Sequence, residues 1–332
     1  MTASVLGPVT LSDITDARRR IAGTAVRTPL VRLHVEAPAE IWLKLETLQP
    51  IGSFKLRGAT NAIQKLREES PERLVRGVYT ASAGNMAQGV AWGARALGIP
   101  CTVVVPETAP RTKIDAVERL GARVVKRSFD EWWRLMVEHG DPAMEGTFIH
   151  PFADADVMAG NGTIALEILE DLPDVDTIVV PYGGGGLVCG IASAIRARAS
   201  EGNDDHVRVL ACEVDTAAPF AAALAAGAPA ATSYAASFVD GIGSKRVSDE
   251  MWPLARTLLD GTVVVSLREI ADAVRLLAER VRVIAEGAGG ASLAAALSGR
   301  AGAGRVVCVV SGGNIDAARL GAILEGRVPE HR

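Results

Sequence analysis

Four consecutive glycines, Gly183, Gly184, Gly185 and Gly186, lie between an apolar run and a helical pattern. A backbone without Cβ atoms can close around a ligand and present successive N–H groups to it. A helix N-terminus directly behind the loop favours an anion, so this position is typical of a phosphate site. The sequence lacks the Lys-Ser/Thr of a Walker A loop and the acidic residue of a dinucleotide-binding domain. A flexible turn is the simpler alternative.

A lysine among small residues is the second candidate. The segment 52–59 reads GSFKLRGA and carries Lys55 beside Phe54. Taken alone, Lys55 is most simply an ordinary surface lysine. Its catalytic interpretation is a Schiff-base lysine, whose pKa must fall from about 10.4 through desolvation so that the neutral amine can react. Arg57 either contacts a phosphate or forms an ion pair at the rim of a domain.

Two further loops combine small and polar residues. The segment Ser82-Ala83-Gly84-Asn85 opens a helical pattern, and its free N–H groups would suit a carboxylate. An ordinary helix N-cap is an equally good explanation. Ser311, followed by Gly-Gly-Asn, ends an apolar run and can make one hydrogen bond toward a ligand, although a β-turn also explains it.

These loops require an alternation of strands and helices to position them. Continuous Val and Ile runs indicate strands that are buried on both faces, and strand–helix alternation indicates parallel sheets with ligands at the carboxyl ends of the strands. The predicted strands are 41–45, 75–80, 101–105, 123–126, 178–180, 207–214, 262–266 and 306–310. The predicted helices are 61–67, 86–97, 112–120, 187–199, 267–284 and 289–297.

The composition excludes several classes of protein. The 332 residues carry a formal net charge of −4, which argues against a nucleic-acid binder or a polybasic membrane-surface protein. The hydrophobic content of 48% excludes global disorder. Neither a signal peptide nor an apolar run of about 18 residues is found, so we expect a cytoplasmic protein without a membrane span. The four cysteines lack metal-site spacing and are expected to be buried and reduced.

Together with Glu286-Gly-Ala-Gly, these motifs resemble the pyridoxal-phosphate (PLP) enzymes of fold type II, the tryptophan-synthase-β fold. Within that group the chain resembles the threonine/serine dehydratases and the serine racemases, from about Arg27 to Asn314. The resemblance implies two open, twisted α/β domains with mostly parallel sheets and an active site in the cleft between them. A small domain, 52–150, would be inserted into a large PLP-binding domain made of 1–51 and 151–332.

The resemblance also implies roles for single residues. Lys55 would carry the cofactor as a Schiff base, Phe54 would pack beside its ring, Asn85 would bind the ring hydroxyl, and Ser311 would face the pyridine nitrogen. The turn Asp240-Gly241 and Glu286 would lie near the cofactor. The phosphate would be bound by Gly183, Gly184, Gly185, Gly186 and Leu187. The substrate carboxylate would be bound by Ser82, Ala83, Gly84 and Asn85.

The implied reaction is β-elimination from threonine, serine or a related β-hydroxy amino acid, giving a 2-oxo acid and ammonia. Serine rather than aspartate at position 311 disfavours transamination. The pattern that resembles racemases of this type has a serine at position 83. This chain has Ala83 there, and its methyl group cannot transfer a proton. A racemase, a lyase for a bulkier substrate such as phenylserine or hydroxyaspartate, and a degenerate ligand-binding relative remain the alternatives.

Racemase-like relatives bind a divalent cation through a Glu-x-x-x-Ala-x-Asp turn. Glu213 and Ala217 match that turn, but Pro219 replaces its aspartate. We therefore expect no intact metal site, unless Asp215 or water replaces the missing ligand. The chain ends soon after the last motif, which predicts no isoleucine-type feedback domain. A homodimer is expected by analogy alone.

The remaining residues give weaker expectations. The five histidines are scattered and are expected to have surface or capping roles; they are His34, His139, His150, His206 and His331. Trp132 and Trp133 are expected to pack in the core or an interface. The segment 201–205 is expected to be an exposed turn, and segments 150–161 and 239–245 to be loops that form the pocket walls.

Overall fold

The computed structural model describes residues 6–200 and 207–330, so the predicted turn at 201–205, His206 and His331 lie outside the described residues. Its strands are β1 (Leu30–Arg32), β2 (Glu40–Lys44), β3 (Val78–Ala81), β4 (Cys101–Pro106), β5 (Arg123–Arg127), β6 (Thr147–Phe148), β7 (Thr177–Pro181), β8 (Arg208–Val214), β9 (Thr262–Val265) and β10 (Arg305–Val309).

The helices alternate with these strands along most of the chain. They are α1 (Leu11–Ile21), α2 (Lys55–Glu69), α3 (Asn85–Leu97), α4 (Arg111–Glu118), α5 (Phe129–Val137), α6 (Ala155–Asp171), α7 (Gly186–Ser200), α8 (Pro219–Ala226), α9 (Trp252–Leu258), α10 (Leu267–Leu276), α11 (Gly287–Leu297) and α12 (Ala317–Leu324). None of the helices in the described ranges has the length and apolar character needed to cross a bilayer.

The strands form two sheets, as an α/β fold with mostly parallel sheets requires. The larger sheet has the order β1-β2-β10-β7-β8-β9, and β1 is its antiparallel edge strand. The smaller sheet has the order β5-β4-β3-β6 and is wholly parallel. All residues of β3 and β7 are buried, which confirms that the continuous apolar runs are strands covered on both faces.

This topology gathers the four segments that the sequence marked. β2, β10 and β7 are parallel neighbours, and their carboxyl ends lead to Lys55, to Ser311 and to Gly183. The carboxyl end of β3 in the smaller sheet leads to Ser82. Ligands of open α/β sheets bind at such strand ends, so the fold itself explains why these loops meet.

Two of the predicted elements are wrong. Segment 150–161 is not all loop, because α6 begins at Ala155. Glycines had weakened the helical pattern there, but they permit close packing: a Cβ at Gly160 would lie 2.6 Å from the carbonyl oxygen of Arg57. The predicted helix 267–284 ends at Leu276, continues as one π-helical turn, and stops where Arg282 adopts a left-handed φ of 63°.

A buried network of four charged side chains fixes the start of α2. Arg57 donates to Glu46 at 2.8 Å and to Glu167 at 2.7 Å, and Lys44 donates to Glu167 at 2.6 Å. The four are at most 5% exposed, so the expected position of Arg57 at a domain rim is wrong, although the expected ion pair is confirmed. The two cations balance the two carboxylates, which joins α2 to β2 and α6.

The pKa of Glu46 reports the strength of this network. Burial alone would raise that pKa, but the charge of Arg57 and its hydrogen bonds outweigh burial and hold the pKa below its ordinary value. Because the pKa is lower in the folded protein, this stabilisation is present at neutral pH. It is lost as the pH falls through the lowered folded value.

Replacing Arg57 is expected to destabilise the folded protein, because the buried carboxylates of Glu46 and Glu167 lose their shared partner. In Arg57→Met only Lys44 would remain to balance two buried anions, so the free energy of unfolding should fall by about 3–5 kcal/mol. Urea denaturation measures this loss. Arg18→Met, which breaks an exposed pair with Glu170, is the matched control and should cost less than about 1 kcal/mol. Equal losses in the two variants would contradict the assignment.

Candidate active site

The segment that carries Lys55 is bound along the loop that carries Ser311. Ser53 and Gly312 form an antiparallel bridge, and the N–H of Phe54 donates to the carbonyl of Ser311 at 3.0 Å. The N–H of Gly313 donates to Gly52, whose φ of 71° suits glycine. These backbone contacts place Lys55 at the first residue of α2.

The Lys55 amine is held by a carbonyl rather than by a carboxylate. Its Nζ donates to the oxygen of Pro151 at 2.6 Å and lies 5.2 Å from the centroid of the Phe54 ring. Burial without a negative partner lowers the pKa of Lys55 to about 8. A substantial fraction of this amine is therefore neutral under mildly alkaline conditions, as covalent capture of an aldehyde requires.

The tetraglycine loop offers a cradle of unpaired donors at the start of α7. The N–H groups of residues 183–188 meet no acceptor in the described part of the chain. A Cβ at Gly184 would lie 2.2 Å from the Phe152 ring, so only glycine allows the loop to pack against that side chain. Phe152 directly follows Pro151, and the lysine and the loop therefore share one wall.

The start of α3 forms a second set of free donors. The N–H groups of Ala83, Asn85 and Met86 have no acceptor among the described residues, whereas the N–H of Gly84 donates to the Ser82 hydroxyl at 3.2 Å. Nothing lies within 4 Å of the position of a Cβ at Gly84, so the loop opens onto free space. The free donors and the helix dipole favour a carboxylate here.

The side chain of Asn85 connects the two sheets. Its Nδ2 donates to Oε1 of Glu286 at 2.8 Å, and its Oδ1 accepts from Asn314 at 2.7 Å. Burial, with a further contribution from Asp240, raises the pKa of Glu286 to about 7. Gly241 lies close to this carboxylate, because a Cβ there would be 3.3 Å from Oε1. The structure therefore brings together three of the predicted cofactor-binding residues.

The remaining predicted residues are also at this site. Gly241 is close to the tetraglycine loop, since its carbonyl oxygen would lie 3.3 Å from a Cβ at Gly183. Ser311 is 3% exposed, and its hydroxyl makes no hydrogen bond to any residue that the structure describes. Leu187 is buried in the first turn of α7.

His150 has a structural role in the turn that contains Pro151. Its Nδ1 accepts from the N–H of Ala153 at 2.8 Å, and its Nε2 lies 3.1 Å from the carbonyl oxygen of Met136. Burial lowers the pKa of His150 to about 3, so the ring is neutral and holds the turn that presents Pro151. The expected surface position of His150 is wrong, whereas the expected capping role is confirmed, since its Nδ1 also accepts from the N–H of Phe152.

The cysteine and tryptophan expectations have different outcomes. Cys101, Cys189, Cys212 and Cys308 are all buried and unpaired, as expected. Trp133 is 46% exposed and stacks with Phe129, so it does not pack in the core.

The turn of Glu213 and Ala217, which matches the cation-binding turn of racemase-like relatives in part, is occupied by hydrogen-bond donors. The Glu213 carboxylate accepts from the N–H groups of Phe220 and Ala221 at 2.7 and 2.9 Å and from the Thr262 hydroxyl at 2.8 Å. These donors make the site suitable for an anion, and the carboxylate itself fills it at the start of α8. Within the described ranges, Glu213 and Ala217 belong to no group of three metal ligands.

Comparison with known proteins identifies the family. The model of the pyridoxal-phosphate dependent enzymes matches residues 21–312. This chain belongs to that family. It is 41% identical to the L-threonine ammonia-lyase of Thermotoga maritima over 95% of this chain and 78% of the relative. It is 37% identical to the catabolic L-threonine dehydratase TdcB of Staphylococcus aureus, over 96% of this chain and 92% of the relative.

Solved structures give the same assignment. Maize serine racemase superposes with a TM-score of 0.82 at 32% identity, covering 96% of this chain and 97% of the racemase. The chain is thus a fold type II member of the PLP enzymes, in the threonine/serine dehydratase family. Its cofactor is PLP. The donor set fits this cofactor, because a depressed-pKa amine suits the aldehyde and the unpaired N–H groups suit the phosphate.

The depressed pKa of Lys55 is measurable in cofactor-free protein. Trace acetylation across pH 6–11, followed by peptide mass spectrometry, should show Lys55 reacting with a midpoint near pH 8. Lys65 on the same helix is the control, because its hydrogen bond to Asp156 raises its pKa and should move its midpoint above 10.5. If the two lysines titrate together, Lys55 is not desolvated.

The packing of Phe152 against the tetraglycine loop predicts that Gly184 is needed for cofactor binding. Gly184→Ala should displace the cradle and raise the PLP dissociation constant about fivefold or more, since overpacking costs about 1–3 kcal/mol. Fluorescence titration of the cofactor-free protein measures the constant. Gly321→Ala, where nothing lies within 4 Å of the new methyl group, should leave it unchanged. Unaltered affinity in Gly184→Ala would refute the cradle.

Proposed function

We propose that the chain is a PLP-dependent ammonia-lyase that converts L-threonine, and also L-serine, to a 2-oxo acid and ammonia. The names of its relatives, L-threonine ammonia-lyase and L-threonine dehydratase, support this substrate class. The observation that carries the proposal is the buried Lys55 amine at the Pro151 carbonyl, beside a cradle of unpaired N–H groups.

In this proposal the cofactor is held at both ends. Lys55 would bind its aldehyde carbon, Phe54 would flank its ring, and Ser311 and Asn85 would contact its heteroatoms. The donors of Gly183, Gly184, Gly185, Gly186 and Leu187 would hold the phosphate, and Gly241 and Glu286 would complete the wall. When bound, PLP supplies an electron sink that stabilises negative charge at the substrate Cα.

The chain's own residues then bind the substrate and move its protons. The N–H groups at the start of α3, with Ser82, Ala83, Gly84 and Asn85, hold the substrate carboxylate. The Lys55 amine takes the proton from Cα, because a base with a pKa near the working pH is the most effective. Its hydrogen bond to Pro151 holds the amine in place.

The residues on the other side of the substrate favour elimination over racemisation. A racemase needs an acid or base on each face of Cα, and the Ala83 methyl can supply neither. Ser311 is a neutral hydroxyl and does not hold a proton on the ring nitrogen as a carboxylate would, which disfavours transamination. Racemisation is the second candidate, supported by the likeness to maize serine racemase.

We further infer the organisation of the whole molecule from the same family likeness. Residues 52–150 form a small domain inserted into a large one, 1–51 and 151–332, with the site in the cleft between them. We propose that the enzyme is a cytoplasmic homodimer.

A product assay tests the proposed reaction. Purified enzyme with L-threonine should release equal amounts of ammonia and 2-oxobutanoate, and Lys55→Ala should lower the rate about 10²–10⁴-fold. Lys65→Ala removes another lysine of the same helix, one that pairs with Asp156, and should retain activity.

Other results would point elsewhere. Predominant formation of D-serine from L-serine would favour the racemase. Wild-type protein without a borohydride-sensitive absorption band would favour a ligand-binding relative. Full turnover by Lys55→Ala would refute the role of the lysine.

A further inference from the structure

We propose that Asn314 is a positioning residue that fixes the orientation of the Asn85 amide, so that Nδ2 of Asn85 donates one N–H to Glu286 and directs the other to the cofactor. This inference rests on the proposed role of Asn85 as a ligand of the ring hydroxyl. Asn314 is 263 residues from Ile51 and 229 residues from Asn85 in the chain, yet its side chain contacts both.

Hydrogen-bond direction determines how the Asn314 amide lies. Its Nδ2 is 2.8 Å from the carbonyl oxygen of Ile51, which can only accept. The NH₂ group of Asn314 must therefore face Ile51. The second hydrogen of that NH₂ group reaches the Asn85 side chain at 2.7 Å, and only an oxygen there can accept it.

The orientation of Asn85 follows from this constraint. With its Oδ1 facing Asn314, its Nδ2 is directed at Oε1 of Glu286, 2.8 Å away. The reverse orientation would bring two NH₂ groups together and remove both hydrogen bonds. One backbone carbonyl thus sets the direction of a chain of hydrogen bonds from Ile51 through Asn314 to Asn85.

Glu286 cannot set this direction by itself. Its pKa of about 7 means that near neutral pH the carboxyl group is protonated in part of the molecules and can also donate. A protonated Glu286 would accept either orientation of Asn85. Asn314 has no such ambiguity, because an amide NH₂ group donates at every pH in the working range.

The contact also joins the segments that must stay in register. Ile51 precedes the Lys55 loop, Asn314 ends the Ser311 loop, and Asn85 begins α3. The loop approaches Asn314 closely, since a Cβ at Gly52 would lie 2.9 Å from its Oδ1. Asn314 is exposed, and its replacement removes only the side-chain donor of the Ile51 carbonyl, so the variants are expected to fold with a small loss of stability.

A double-mutant cycle on the holoenzyme tests the inference. Asn314→Asp keeps the shape but offers only acceptors, so Asn85 should rotate and turn its oxygen toward the cofactor. The PLP dissociation constant should rise about tenfold. The pH midpoint of the visible absorption band should move upward, because the ring oxygen anion loses a donor. Asn314→Ala should give a smaller effect in the same direction.

The second arm of the cycle separates positioning from a general structural effect. In an Asn85→Ala background, Asn314→Asp should change the dissociation constant less than about twofold. Equal changes in both backgrounds, or no change in the single variant, would overturn the inference. If these results occur while borohydride still fixes PLP on Lys55, the proposed function stands and only the inference fails.

A neutron or atomic-resolution crystal structure without cofactor tests the inference independently, because such data distinguish the nitrogen of an amide from its oxygen. In cofactor-free Asn314→Asp, the Asn85 amide should be rotated, with its Nδ2 against the new carboxylate and its Oδ1 toward Glu286. An unrotated amide would overturn the inference even if the chain proved to bind no PLP.

Discussion

The whole site depends on an amine that is buried without a charged partner. The only hydrogen-bond acceptor of the Lys55 amine among the described residues is the neutral carbonyl of Pro151, and burial therefore lowers the pKa of this amine to about 8. Desolvating an ammonium group is unfavourable unless the surrounding structure enforces it. Here the lysine segment is bound to the Ser311 loop, and the start of α2 is fixed by Arg57. The reactivity of the lysine is thus maintained by contacts made elsewhere in the fold.

Lys55 and Arg57 show two opposite outcomes of burying a cation, only two positions apart. Burial alone would lower the pKa of Arg57, but Glu46 and Glu167 outweigh it and raise that pKa, so the guanidinium is a permanent structural charge. Lys55 has no carboxylate within reach in the described part of the chain and gives up part of its charge instead. Glu46, in the segment after β2, and Glu167, in α6, supply the partners of Arg57. Residues two positions apart on a helix point to different sides, so Lys55 reaches neither carboxylate.

The same arrangement recurs at three helix starts. The first N–H groups of α7 and α3 have no acceptor among the described residues, which leaves two sets of donors open to anions. The first N–H groups of α8 are instead occupied by the Glu213 carboxylate. A helix start attracts an anion in each case. Two of these helices remain open to external anions, in keeping with a substrate carboxylate and a cofactor phosphate, while the third is closed by the protein itself.

Features that depend on local patterns could be predicted from the order of residues alone. Continuous apolar runs indicated the buried strands, and the order of the glycine-rich motifs indicated the family, because both are set by neighbouring residues. Contacts between residues far apart in the chain were decided only by the tertiary structure. The chain of hydrogen bonds from Ile51 through Asn314 to Asn85, the balancing of Arg57 by Glu167, and the burial of His150 all arise from such contacts. Even the first turns of α6 were not predicted, because Gly160 serves the close packing of α2 rather than local helix stability.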